Sequence, residues 1–394
     1  MRACRTFITY VGRGVAALVM FGLAAAGASA QSETATVTDL IMVGRSPAVH
    51  AQINGHEALL EVDTGSFELR LTPHFVEKYQ IKSPRVTLQI GGAPEFTLKP
   101  VVEDLEGDQP APFAKNVMAH SDGIVGLDVL RKFALGFDTV NGKLAWWYGG
   151  HLSPESVEKW TGSAPAKMPL SSDGPDDWYR VDSQINRHPV KLVLDTGTAY
   201  ATVNPSIAKR LRLRVVGETP VQEIGRSEDL KVAVADSLTF GDIAADFPVF
   251  NIESSDEDTD DGILGTEAIG NGAYVIDMPG MTFYDVHKNR ERGTPMERRM
   301  REAGLDLFPT ANDSLIVLVK TGSPAEKKGI HSGDELVAIG GVLIKDMFGS
   351  LKNDTTGQQT EKLFALAVRS INGELHVTVK CHTGVFVILP LPDD

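Results

Sequence analysis

Two short runs of the chain carry residue types and spacing that could do chemistry. Asp63-Thr64-Gly65-Ser66 and Asp195-Thr196-Gly197-Thr198 lie 132 residues apart, and in each case Gln-Ile-Asn (from Gln52 and from Gln184) begins eleven residues upstream of the Asp. One such run alone reads as a turn in which Asp caps its own backbone. Two at equivalent places predict two carboxylates facing each other across a pseudo-twofold axis. Carboxylates about 3 Å apart cannot both ionise, so such a pair holds one proton and supplies one acid and one base. The charged member can deprotonate a water while the protonated member donates to a carbonyl. The neighbours fit this reading. Gly65 and Gly197 let backbone N–H groups approach the carboxylates, the hydroxyls of Ser66 and Thr198 can bond the outer oxygens, and Thr64 and Thr196 can bond across the interface of the halves.

The elements that must position these runs repeat as well. Leu59 to Val62 and Leu192 to Leu194 are apolar runs that read as buried strands entering a turn. Asp122-Gly123-Ile124-Val125-Gly126 has a partner in Asp261-Gly262-Ile263-Leu264-Gly265, and twelve residues past the second Gly of each comes an Asp, Asp138 and Asp277. The offset grows from 132 to 139 between the motifs. Alternation marks strands at Val86 to Ile90 and Phe247 to Ile252. One short helix per half is expected over Phe75 to Tyr79 and Ser206 to Leu211, each behind a Pro (Pro73, Pro205) at the first helical position. About twenty additional residues in the second half, Val215 to Val232, suit a hairpin flap over a cleft.

Paired Asp-Thr-Gly-Ser/Thr, each followed by apolar-apolar-Gly, resembles the aspartic peptidases of the pepsin and retropepsin clan over residues from about 45 to 285. The second half is similar to the retropepsin-like bacterial form. The resemblance implies a mainly β, bilobal acid-protease fold of β-barrel lobes with a pseudo-twofold internal repeat. It also implies apolar-Gly strands passing beneath the aspartates, and an endopeptidase chemistry carried by Asp63 and Asp195. The Tyr usual in a pepsin-like flap is missing from both flap candidates. The alternative is a peptidase fold without turnover, a peptide-binding adaptor.

A different module follows. Val319 to Ala325, Gly329-Ile330, Gly333-Asp334-Glu335-Leu336 and Ile339-Gly340-Gly341, with a helix expected over Thr360 to Arg369 and strands at Leu375 to Cys381 and Val385 to Leu389, resemble a PDZ domain of the bacterial order, an α+β fold. That resemblance implies a peptide ligand added to a sheet edge and puts the carboxylate-binding loop at Gly304-Leu305-Asp306-Leu307. There Asp306 opposes a free C-terminal carboxylate.

The first thirty residues read as a cleavable signal peptide: Arg2, Arg5 and Arg13, an uncharged run Val15 to Ala26, and Ala28-Ser29-Ala30 before Gln31. This predicts a periplasmic or secreted bacterial protein with no membrane span in the mature chain. Cys4 leaves with the signal, so Cys381 stands alone and forms no internal disulfide. The expected organisation is signal peptide 1–30, first lobe 31–148, inter-lobe linker 149–177, second lobe 178–285, basic linker 286–303 and PDZ domain 304–394. The 394 residues, 42% hydrophobic and 23% charged, are an ordinary globular composition. A net charge of −14 repels phosphate backbones and argues against nucleic acid as a partner. Protein or peptide substrates are the expected partners. No cofactor or metal is expected: the ten His residues show no metal-ligand spacing. The cluster Asp256, Asp258, Asp260 and Glu267 imitates a calcium loop but has Asp261 where that loop needs Gly.

Overall fold

The computed structural model describes residues 35–43, 46–105, 121–172, 178–223, 226–245, 248–254, 260–270, 272–286, 295–309, 315–346 and 375–392. The expected signal peptide and the expected helix over Thr360 to Arg369 lie outside these residues. Among the described residues no helix is long and apolar enough to cross a membrane.

Each half begins with the same hairpin. Strands Ser46–Ile53 and His56–Val62 pair antiparallel around Asn54-Gly55, and Arg180–Ile185 and His188–Leu194 pair around Asn186-Arg187. Both residues of each turn have positive φ (50° and 79°; 50° and 65°), the geometry of a two-residue hairpin turn that matches strand twist. The repeated Gln-Ile-Asn is thereby explained. Ile53 and Ile185 are buried, and the Asn carboxamide oxygen binds the next hairpin, accepting from Thr87 N at 2.8 Å in one half and from Asp236 N at 2.7 Å in the other.

The second strand of each hairpin runs parallel to the apolar-Gly strand of its half, His56–Val62 beside Gly123–Val125 and His188–Leu194 beside Gly262–Leu264. Asp122 and Asp261 lock this pairing by accepting from Leu59 N and Lys191 N, both at 2.9 Å. The helices form at Pro73–Lys78 and Pro205–Arg210, the first capped by Thr72. The halves differ after the helix, where the second inserts the long hairpin Arg214–Glu223 and Arg226–Val234 as the outer edge of a nine-stranded sheet.

A six-stranded sheet joins the halves. Its central strands Phe133–Asp138 and Ala273–Asp277 pair antiparallel, with Gly136 opposite Val275. The stretch expected as an inter-lobe linker is built into this sheet. Ala166–Pro169 is one edge strand, and helix Pro154–Thr161, capped by Ser153, covers one face with Val157 and Trp160. Asp277 is buried and caps the turns around it, accepting from Leu152 N at 2.8 Å and Gly280 N at 2.9 Å. One apolar core runs through both halves, from Val49, Leu60 and Phe75 to Leu192, Phe250 and Phe283.

The C-terminal module has its own core and a sheet ordered Leu305–Pro309, Leu315–Val319, Glu335–Ile339, His376–Lys380, Phe386–Pro390. Two expectations shift here. Helix Pro295–Ala303, within the expected basic linker, lays Met300 and Ala303 into this core. Of the expected carboxylate loop only Gly304 lies in a turn (φ 78°), whereas Leu305, Asp306 and Leu307 open an edge strand paired to Val319, Leu318 and Val317. The alternation of Leu305, Asp306 and Leu307 buries Leu305 and favours strand over loop.

Candidate active site

The two Asp-Thr-Gly turns meet at the ends of their parallel strand pairs. Asp63 N donates to Val125 O and Asp195 N to Leu264 O, both at 3.2 Å, so each apolar-Gly strand seats the aspartate of its own half. The threonines cross over. Thr64 N donates to Thr196 Oγ1 at 3.1 Å and Thr196 N to Thr64 Oγ1 at 3.0 Å. Each hydroxyl then donates to the strand before the opposite turn, Thr64 Oγ1 to Leu194 O at 2.7 Å and Thr196 Oγ1 to Val62 O at 2.6 Å. All four bonds are buried, where a lost partner costs about 1–3 kcal/mol, so these threonines fix the axis on which the carboxylates meet.

The carboxyl groups of Asp63 and Asp195 face each other between the two turns. Each is held by the Gly of its own turn, Gly65 N to Asp63 Oδ1 at 2.8 Å and Gly197 N to Asp195 Oδ1 at 2.7 Å. Each Gly is also required by the opposite carboxylate. A Cβ at Gly65 would lie 2.4 Å from Asp195 Cγ, and one at Gly197 2.4 Å from Asp63 Cγ. Burial and then the charge of Asp63 push the Asp195 carboxyl well above the usual carboxylate range against the opposing N–H groups of Gly197 and Thr198. The arrangement therefore holds a proton on the pair and presents an acid beside a base.

Of the two residues that follow the Gly, Thr198 turns its hydroxyl elsewhere than to the carboxylate. The Thr198 hydroxyl points to Tyr200 O at 3.5 Å, and it is the Thr198 backbone N–H that favours the Asp195 charge. Ser66 is buried, and its carbonyl accepts from Leu127 N at 2.8 Å. Backbone amides of the turns, those of Gly65, Gly197 and Thr198, are the groups that hold the carboxylates.

One residue beside the pair escaped the sequence reading. Glu61 precedes Asp63 by two positions, and so shares its strand face. It accepts from Ser121 Oγ at 2.6 Å and is hydrogen-bonded to Ser46, whose Oγ donates to Gly197 O at 2.9 Å. Burial first, and the charge of Asp63 next, push the Glu61 carboxyl up. A protonated Glu61 can donate to Ser46 while Ser46 donates to Gly197, a chain from the first half to the turn of the second. The equivalent position, 132 residues on, is the buried Val193. The available signal was an acid inside the otherwise apolar run Leu59 to Val62.

The second half is further tied to the C-terminal module. Val232 packs with Phe308, Ile316 and Leu318, and Tyr200, Val216, Val234 and Val249 border this cluster. The Tyr200 and Phe308 rings are 4.8 Å apart. A cavity of about 390 Å³ lies alongside, lined by Met42, Pro47, Tyr200 and Thr266 on one side and by Arg301, Asp306 and Phe308 on the other. It adjoins the second Asp-Thr-Gly-Thr turn, since Thr266 N donates to Thr198 O at 3.0 Å.

An aspartate dyad at the centre of a mainly β, two-halved fold of acid-protease type is the class that this geometry defines. Comparison agrees where it reaches: residues 181–268, the greater part of the second half, match the family described as aspartyl protease. Among solved structures, the aspartic proteinase from Irpex lacteus is similar at 14% identity, covering 64% of this chain and 96% of that one with a TM-score of 0.37. A retropepsin-like aspartic protease from Rickettsia conorii is similar at 14% identity, covering 31% of this chain and 91% of that one with a TM-score of 0.24. No curated protein sequence matches the chain.

Proposed function

We propose that the protein is an exported aspartic endopeptidase in which one chain supplies both carboxylates. The observation that carries this reading is the convergence of Asp63 and Asp195, each carboxylate held by the Gly N–H of its own turn and set against the Gly of the opposite turn. A water bound between the carboxylates loses a proton to the ionised aspartate as its oxygen attacks the peptide carbon. The protonated aspartate donates to the carbonyl oxygen, giving a neutral gem-diol with no covalent link to the enzyme. Collapse returns a proton to the pair, protonates the leaving nitrogen and breaks the C–N bond. Gly65 and Gly197 hold the carboxylates in register, and the crossed threonines keep the two halves from separating.

The C-terminal module acts in this reading as a PDZ-like domain that positions protein substrates, with the outer edge of Leu305–Pro309 available to an extended peptide. The apolar-run sequence at 1–30 supports export to the periplasm or beyond. The test is incubation of the purified protein with a denatured protein mixture from acid to neutral pH, alongside Asp63→Asn and a statine-type inhibitor, with new termini mapped by mass spectrometry. Cleavage that is blocked by the inhibitor and absent from Asp63→Asn is expected. Equal product from the variant, or none from either, overturns the peptidase reading in favour of a peptide-binding protein.

A further inference from the structure

The C-terminal module brings together three side chains that linear spacing keeps apart. His331 and Asp334 sit on the turn before strand Glu335–Ile339, and His382 follows strand His376–Lys380. One ligand-type atom from each lies within 4.8 Å of the other two, the one such group among the described residues. The two imidazole rings are 5.5 Å apart and nearly perpendicular.

The geometry of the trio suits a cation. Asp334 is 2% exposed, and both its oxygens are anchored by backbone N–H groups of the two His residues, Oδ2 by His331 N at 2.8 Å and Oδ1 by His382 N at 2.9 Å. Each oxygen of this fixed carboxylate thus holds one backbone N–H and keeps a second acceptor site. Nδ1 of His382 is 3.2 Å from Asp334 Oδ1. Donors bonded at about 2.0–2.2 Å to a tetrahedral zinc lie about 3.3–3.6 Å apart, so this pair already spans one edge of such a site. His331 is exposed and can close the third corner by side-chain rotation alone. Cys381 is hydrogen-bonded to Asp334 beside the trio, and its Sγ also lies 3.6 Å from Gly329 O.

We propose that His331, Asp334 and His382 form a binding site for a divalent transition metal of the zinc type, with the fourth position open to water. Two imidazoles and one carboxylate select zinc-class ions over calcium or magnesium, which prefer all-oxygen shells. The anchoring amides give the carboxylate the outer-shell support that ligating side chains need. The site would also staple the loop 331–334 to the turn 381–384. That loop is the seat of the long hairpin of the second half, since Arg214 Nη1 donates to Ser332 O at 3.4 Å and Val216 packs on Gly333.

The test uses the full chain, stripped with a chelator and titrated with zinc chloride in a calorimeter. Cobalt chloride serves as a spectroscopic probe. One equivalent of zinc with a dissociation constant of about 1 µM or tighter is expected, together with the intense visible bands of four-coordinate cobalt and a zinc-dependent rise in Tm. His331→Ala and His382→Ala should each weaken zinc binding at least about tenfold and remove the Tm rise, whereas His151→Ala should change neither. Both substituted imidazoles are exposed, so the variants keep their fold, which circular dichroism checks. Absence of stoichiometric binding, binding undiminished in both variants, or the weak spectrum of six-coordinate cobalt would overturn the assignment.

Discussion

The halves of the dyad fold agree where two carboxylates must meet and differ where each half has its own neighbours. Both carry the Asn-led hairpin turn, the parallel strand pair locked by Asp122 or Asp261, and the crossed threonines. Beside this centre the first half places Glu61 where the second has Val193, and farther out it passes from its helix almost directly to Val86–Gln89. The second half inserts Arg214–Val234 there and buries Val232 of that hairpin against the C-terminal module. Symmetry is thus kept by a constraint that acts on both halves at once, because a shift of either turn separates the pair. Elsewhere each half answers only to its own packing.

The sharpest test of this equivalence is at the two glycines. Gly65→Ala and Gly197→Ala each drive a Cβ to 2.4 Å from the Cγ of the opposite carboxylate, so one of the two must be displaced. Displacements near 1 Å cost about 100-fold in rate, so each variant should lose at least that much peptidase activity while its thermal transition survives. Matching losses support a shared centre. A large loss from one alone would mean that only one turn serves the chemistry.

Glu61 tests the asymmetry. Its carboxyl is raised, so it stays protonated to higher pH than an ordinary Glu and ionises beside Asp63 as pH climbs. A group whose folded-state value is raised binds more protons folded than unfolded, so stability declines as pH rises from the usual Glu value to the raised one. Glu61→Gln keeps a donor for Ser46 and an acceptor for Ser121, so activity at acid pH should persist and the decline in stability should vanish in denaturant titrations across that interval. Without the added negative charge the dyad gives up its last proton more readily, and the alkaline limb of the pH–rate profile should move acidward by a fraction of a unit. An unchanged profile and an unchanged decline would detach Glu61 from the pair.

The smallest effect is expected at the hairpin turns. Gly55 accepts its positive φ freely, whereas Arg187 holds φ 65° with a side chain. Arg187→Gly should stabilise the protein by about 1 kcal/mol or less in urea denaturation, and Gly55→Ala should destabilise it.

The C-terminal module bears on how the proposed specificity can be probed. Removing it would uncover Val232, Val216 and Tyr200, so its part in substrate choice is better read by competition with added peptides than by truncation.

Much of this protein is written locally. The strand runs, the Pro-led helices, the Asn turns and the repeated Asp-Thr-Gly are each decided by a few adjacent residues, so their types and spacing determined the two halves, their equivalence and the pair Asp63 and Asp195. What depends on contacts between distant segments was decided only by the folded chain. The hydroxyl of Thr198 turns to Tyr200 while its backbone N–H serves the carboxylate. Glu61 gains its meaning from Ser46 and Gly197, and His331 meets His382 across 51 residues of sequence. Hydrophobic periodicity reports which face of a segment is buried, but not which other segment buries it, and the partners of polar side chains follow from that second choice.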